Sequence, residues 1–116
     1  MNRYLEKIEP VVKGLIELTK EKKMEWEKVG MEAFRCVDSV NNLSVEISKY
    51  TDIVGEVVSL KLYTQNKLCF EYSPSYNNSD FSFDKLLDNL YALAEEQDVN
   101  SVVSKFKSIL KQFKEE

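Results

Sequence analysis

Between residues 4 and 23, apolar side chains recur at spacings of three and four: Leu5, Ile8, Val11, Val12, Leu15 and Ile16, with Thr19 on the same face. Glu6, Lys7, Glu9, Lys13, Glu17 and Lys20 fall largely on the opposite side. This is the period of an amphipathic helix. Pro10 is tolerated in a first turn but breaks an interior hydrogen-bond ladder. The helix is therefore expected to begin near residue 9 or 10, after a short helical turn, or else to kink there.

The period then changes to two. Lys23 to Val29 alternates, with Met24 and Trp26 on one side and Glu25 and Glu27 on the other, and reads as a strand ending at Gly30. Ala33 to Val37 is a second strand, followed by turn chemistry over Asp38 to Asn42. Leu43 to Ser48 alternates strictly and is rich in β-branched residues. After a loop from Tyr50 to Glu56, Val57 to Tyr63 forms a fourth strand, Thr64 to Lys67 a hairpin turn, and Lys67 to Tyr72 a fifth strand. Short links between consecutive strands predict an antiparallel meander with one wet face, and the helices are the only elements able to cover the dry face.

The stretch Phe70 to Phe83 is dense in aromatics set among Ser, Asn, Asp and Pro. Phe70 and Tyr72 belong to the fifth strand, and Pro74 ends it. Ser82 is a candidate N-cap, which would place Phe81 and Leu86 as a hydrophobic staple and Phe83 in the first helical turn. Tyr76 has no such role, so the loop 73–80 is a candidate binding segment. Phe83 to Gln97 reads as a second helix, with Leu86, Leu87, Leu90, Tyr91, Leu93 and Ala94 as its apolar face. Capping residues from Asp98 to Ser101 suggest a break. A third helix then carries Val102, Val103, Phe106, Ile109, Leu110 and Phe113, with Lys105, Lys107, Lys111 and Lys114 outside; these lysines could attract an acidic partner, but a lysine-rich solvent face is the ordinary reading.

The predicted architecture is a single α+β domain over residues 1–116: an N-terminal helix, a four- to five-stranded antiparallel meander, and two C-terminal helices packed on one sheet face. Its length suffices for a core without metal or disulfide staples. The net charge of −4 argues against a dedicated nucleic-acid binder. No apolar run approaches the roughly 20 residues that span a bilayer, and the first residues lack the apolar core of a signal peptide. A cytoplasmic, non-membrane protein is expected.

Composition removes several chemistries. There is no histidine, so Ser-His-Asp and Cys-His catalysis cannot be built from this chain alone. With two cysteines and no histidine, a structural zinc site is disfavoured as well. Cys36 and Cys69 fall on strands that a meander does not make neighbours, and they read as reduced thiols. Glu25, Glu27, Glu46 and Glu71 could pair for acid–base work or a divalent cation, but no spacing fixes such a pair. Lys28, Arg35, Lys49 and Lys61 nearby make a solvated sheet face the ordinary reading. No glycine-rich phosphate loop is present.

What remains is surface. The polar sheet face is predicted to carry Ser44, Glu46, Ser48, Ser59, Lys61 and Tyr63. Trp26, the only tryptophan, belongs to a type enriched at interfaces, although on the Met24 side of its strand it also suits a core. Tyr63, Tyr76, Phe81, Trp26, Glu46 and Lys61 are thus the candidate binding surface, with no catalytic, cofactor or metal residue among them. The expected function is a non-enzymatic protein-interaction module whose partner is another protein or a second copy in a homodimer. The alternative is a small-ligand protein that holds a nucleotide or metabolite between sheet and helices, with the loop 73–80 as lid.

The run Leu15 to Lys28 resembles the L-x-x-x-T-K-x-x-K-x-x-W-E-K opening of small bacterial and phage-associated helix–meander–helix domains. Leu87 to Ala94 is similar to their L-x-x-L-Y-x-x-A helix. The resemblance implies that fold and transfers no catalytic residue.

Overall fold

The structure, a computed structural model, describes residues 3–53, 55–75 and 79–114. A helix α1 (Arg3–Lys20) is followed by β1 (Glu27–Gly30), β2 (Ala33–Asp38), β3 (Leu43–Asp52), β4 (Gly55–Thr64), β5 (Lys67–Tyr72) and a helix α2 (Phe81–Lys114). The strands form one antiparallel sheet in the order β1-β2-β3-β4-β5, the meander expected from the short links.

The turns follow from their residues. Gln65 and Asn66, at φ 51° and 65°, make the two-residue turn that pairs Thr64 with Lys67. Asp38 Oδ1 accepts from the backbone N–H groups of Val40 and Asn41, closing the turn before β3. In β5 the pairing runs Leu62 to Phe70 and then Tyr63 to Leu68, so Cys69 is the extra residue of a bulge. Without that bulge Leu68 would share the face of Phe70; instead it lies beside Tyr63 on the outer face, half exposed.

One cross-strand row organises the core: Phe34 opposite Ile47, Ile47 opposite Leu60, Leu60 opposite Tyr72. All are at most 5% exposed, and they meet Phe83, Leu87, Leu90, Tyr91 and Ala94 of α2. The rings of Phe34 and Tyr91 meet edge-on at 5.4 Å, those of Tyr72 and Phe83 at 4.8 Å. From α1, Leu5, Val12, Leu15 and Ile16 join the same cluster.

Four local expectations are corrected. The expected loop from Tyr50 to Glu56 is mostly strand, since β3 runs to Asp52 and β4 starts at Gly55. The helix α1 runs through Pro10 from Arg3 rather than starting there. Leu5, only 6% exposed, is a core residue that a later start would leave unplaced, and its burial offsets one lost backbone hydrogen bond. Residues 23–26 are not strand. Gln97 of α2 takes them up instead: its Oε1 accepts from Trp26 N at 2.9 Å, and its Nε2 donates to Met24 O at 2.8 Å. The cap of α2 is Asp80, whose Oδ1 accepts from Phe83 N at 3.1 Å, not Ser82. Phe81 is then the first helical residue and stands 74% exposed, so no staple with Leu86 forms.

The largest correction concerns the C-terminal region. There is one helix from Phe81 to Lys114, not two. No glycine or proline lies within it, and Asp98, Asn100 and Ser101 each cost only tenths of a kcal/mol in a helix interior. Its first half packs on the sheet and α1. Beyond Asp98 every described residue is exposed, and the helix runs clear of the body. The longest dimension, 60 Å against 36 and 23 Å, reflects this.

Asp80 and its neighbours also tie the end of β5 to α2. The Tyr72 hydroxyl donates to Asp84 Oδ1 at 2.6 Å and accepts from Asp80 N at 3.0 Å. Burial, then the bond to Asp84, pushes the Tyr72 phenol well up from its ordinary range. The folded phenol therefore keeps its proton where the unfolded one sheds it, near pH 10. Its contribution to stability is present below about pH 10 and is lost as pH rises beyond. Urea midpoints measured on either side of about pH 10 should fall more steeply for the wild type than for Tyr72→Phe; parallel falls would deny Tyr72 this role.

Candidate interaction surface

The outer face of the sheet carries an alternating row of charge. Glu27 lies opposite Arg35, Arg35 opposite Glu46, Glu46 opposite Lys61, and Lys61 opposite Glu71. Arg35 Nη2 and Glu46 Oε2 are 3.0 Å apart. Opposite charges on neighbouring strands satisfy one another in place. The row is thus self-complementary: Glu46 is paired with Arg35, and Lys61 stands between Glu46 and Glu71. Tyr63 lies on the same face, opposite Ser44 and Leu68. The Ser48 and Ser59 hydroxyls bond each other at 2.8 Å.

The other residues singled out from sequence scatter. Trp26 is in the core at 8% exposure, and its Nε1 donates to Thr19 Oγ1 at 3.0 Å. Thr19 in turn donates to Leu15 O at 2.7 Å. Trp26 therefore locks the exit of α1 and does not face solvent. Phe81 is exposed at the start of α2, with Lys85 Nζ 4.8 Å from its ring centre. Tyr76 lies outside the described residues, as does the middle of the loop 73–80. Glu46, Lys61 and Tyr63 share one face; Phe81 and Trp26 join neither it nor each other.

Cys36 and Cys69 are free, on strands separated by β3 and β4. Burial, then the nearby Asp38 carboxylate, pushes the Cys36 thiol up, the reverse of what a nucleophile needs. Strand β1 pairs only with Ala33 to Arg35, so β2 runs on past it. The shortfall opens a surface groove of about 540 Å³ between Lys23–Glu27 and Arg35–Asp38. Among the described residues no cluster of His, Cys, Asp and Glu is arranged to hold a metal ion, and every buried side-chain N or O has a partner.

The feature that composition and spacing leave as an ordinary solvent face is the free half of α2. Val99, Val102, Phe106, Ile109 and Phe113 follow the alternating three- and four-residue steps of a heptad seam, and Val103 and Leu110 widen it. All are between 43% and 70% exposed. At 3.6 residues per turn, this stripe points roughly 120° away from the one that Phe83, Leu87, Leu90, Tyr91 and Ala94 turn to the core. A straight helix cannot lay both on the same sheet, so the second stripe is left facing water. The sequence did display the stripe; what it concealed was that the domain does not cover it. No helix among the described residues is long and apolar enough to cross a membrane. Comparison with protein-family models, with curated proteins and with solved structures gave no match, so the reading of this surface rests on the chain's own residues.

Proposed function

We propose that this is a cytoplasmic, non-enzymatic interaction module that binds a protein partner along the free half of α2. One observation carries the reading: a run of large apolar side chains, among them Phe106 at 61% and Phe113 at 70% exposure, lies exposed along one helix face. Contiguous exposed apolar surface of this kind marks interaction sites in soluble proteins. The two unpaired cysteines suit a reducing compartment. The small-ligand alternative has less support, because Phe34, Ile47, Leu60, Leu87 and Leu90 fill the space between sheet and helix at 2% exposure or less.

The double variant Phe106→Gln with Ile109→Gln tests the reading. Glutamine keeps helix propensity, and both residues are exposed, so the melting temperature should stay within a few degrees. A protein captured from the source cells by the wild type should be lost by the variant, with affinity down at least roughly tenfold for an anchor of this size. Identical capture by both would remove the stripe from the binding surface.

A further inference from the structure

The flanks of the stripe indicate what covers it. Residues 99–114 contain Lys105, Lys107, Lys111 and Lys114 and no acidic residue, whereas the rest of the chain holds 12 Lys and Arg against 20 Asp and Glu. Positive charge is therefore concentrated where the apolar stripe is, against the sign of the rest of the chain. On the helix, Lys107, Lys111 and Lys114 follow one border of the stripe and Lys105 the other.

A second copy is a poor match for this arrangement. Laid stripe on stripe, two such helices offer the lysines mostly lysine, serine, asparagine or glutamine, with Asp98 reaching Lys114 only at the ends of an antiparallel pair. The strip is also small, about 21 Å long and roughly 10 Å wide, against the ~800 Å² that each side of a stable complex buries. A groove that wraps the helix covers more of it than a facing helix does, and acidic side chains on its rim would meet the lysines.

Resting on the interaction reading above, we propose that the free half of α2 docks as a basic amphipathic helix into an apolar groove rimmed by Asp and Glu on another protein. Phe106, Ile109 and Phe113 are the anchors, and the lysines set partner choice and encounter rate.

The test uses the full chain and two synthetic helical hairpins that share one leucine-lined groove, one with glutamate on the rim and its twin with lysine. Binding is followed by fluorescence anisotropy. The glutamate hairpin should bind at least roughly tenfold tighter than its twin at about 50 mM NaCl, and the gap should shrink at about 300 mM as screening sets in. Phe106→Gln with Ile109→Gln should weaken it at least roughly tenfold.

Equal binding to both hairpins, still weakened by the double variant, would overturn the acidic partner and leave the interaction module standing. A dimer in native mass spectrometry that the double variant abolishes, with no hairpin bound, would replace the partner by a second copy. Tighter binding to phosphatidylserine-containing vesicles than to either hairpin would assign the helix to a lipid surface. A double variant without effect on any of these would overturn both proposals.

Discussion

Phe34→Ala is expected to cost about 3–5 kcal/mol of folding stability, the range for a fully buried phenylalanine. Phe34 is 2% exposed and stands in the row that runs through Ile47 and Leu60 to Tyr72. Its ring also meets Tyr91 of α2 edge-on at 5.4 Å. Truncation therefore removes apolar burial, opens a cavity between sheet and helix, and leaves Tyr91 without its partner ring. For a domain whose total stability is about 5–15 kcal/mol, such a loss takes it close to unfolding at ordinary temperature. Denaturant titration should show a lower midpoint at unchanged slope. Phe34→Leu, which keeps most of the volume, should cost less than about 1.5 kcal/mol. A loss below about 1 kcal/mol for the alanine variant would mean that the row does not pack α2 as described.

Gln97→Ala is expected to cost about 2–3 kcal/mol, because one side chain serves two backbone groups. It accepts from Trp26 N at 2.9 Å and donates to Met24 O at 2.8 Å. In the wild type it does for residues 24–26 what a neighbouring strand would do. Removing it leaves a part-buried donor and acceptor unpaired and frees the segment that carries Trp26. Because Trp26 is the only tryptophan, its emission should shift to the red as water reaches the indole. A variant with wild-type stability and emission would show that the clamp holds nothing in place.

These two residues show how differently sequence reveals its contents. Phe34 sits in a segment that the sequence already marks as a strand, and neighbouring strands follow from turns that can be recognised one by one. Gln97 carries no such mark. It is a polar residue near the end of an apolar run, and its role exists only once residues 24–26 come alongside it, more than seventy positions away in the chain. The same holds for Asp80. As a cap it competes with Ser82 on nearly equal terms, and the bonds of Tyr72 to Asp80 and Asp84 favour the earlier start.

The candidate site divides along the same line. Glu46, Lys61 and Tyr63 were legible as outer-face residues because alternation assigns a face. That Glu46 and Lys61 stand in a row of compensating charge depends on register, which alternation alone does not supply. Trp26 was ambiguous for a related reason: an aromatic with a polar edge suits an interface or a core, and only the Thr19 hydroxyl at 3.0 Å decides between them.

By itself, the chain determined the α+β class and an antiparallel meander of four to five strands, since periodicity and turn chemistry are local properties. It also determined the apolar residues of the last helix and the lysines beside them. Tertiary structure decided how many helices there are and what the last stripe faces. The phase of the apolar pattern slips by about a third of a turn near residue 98, and a slip can be met by breaking the helix or by leaving one stripe unpacked. Capping residues made the break look sufficient. The backbone ladder is kept instead, because breaking it costs unpaired N–H and C=O groups, while the sheet is already covered by the first half of α2 and by α1. The stripe is exposed for that reason, and the proposed interaction function rests on that exposure.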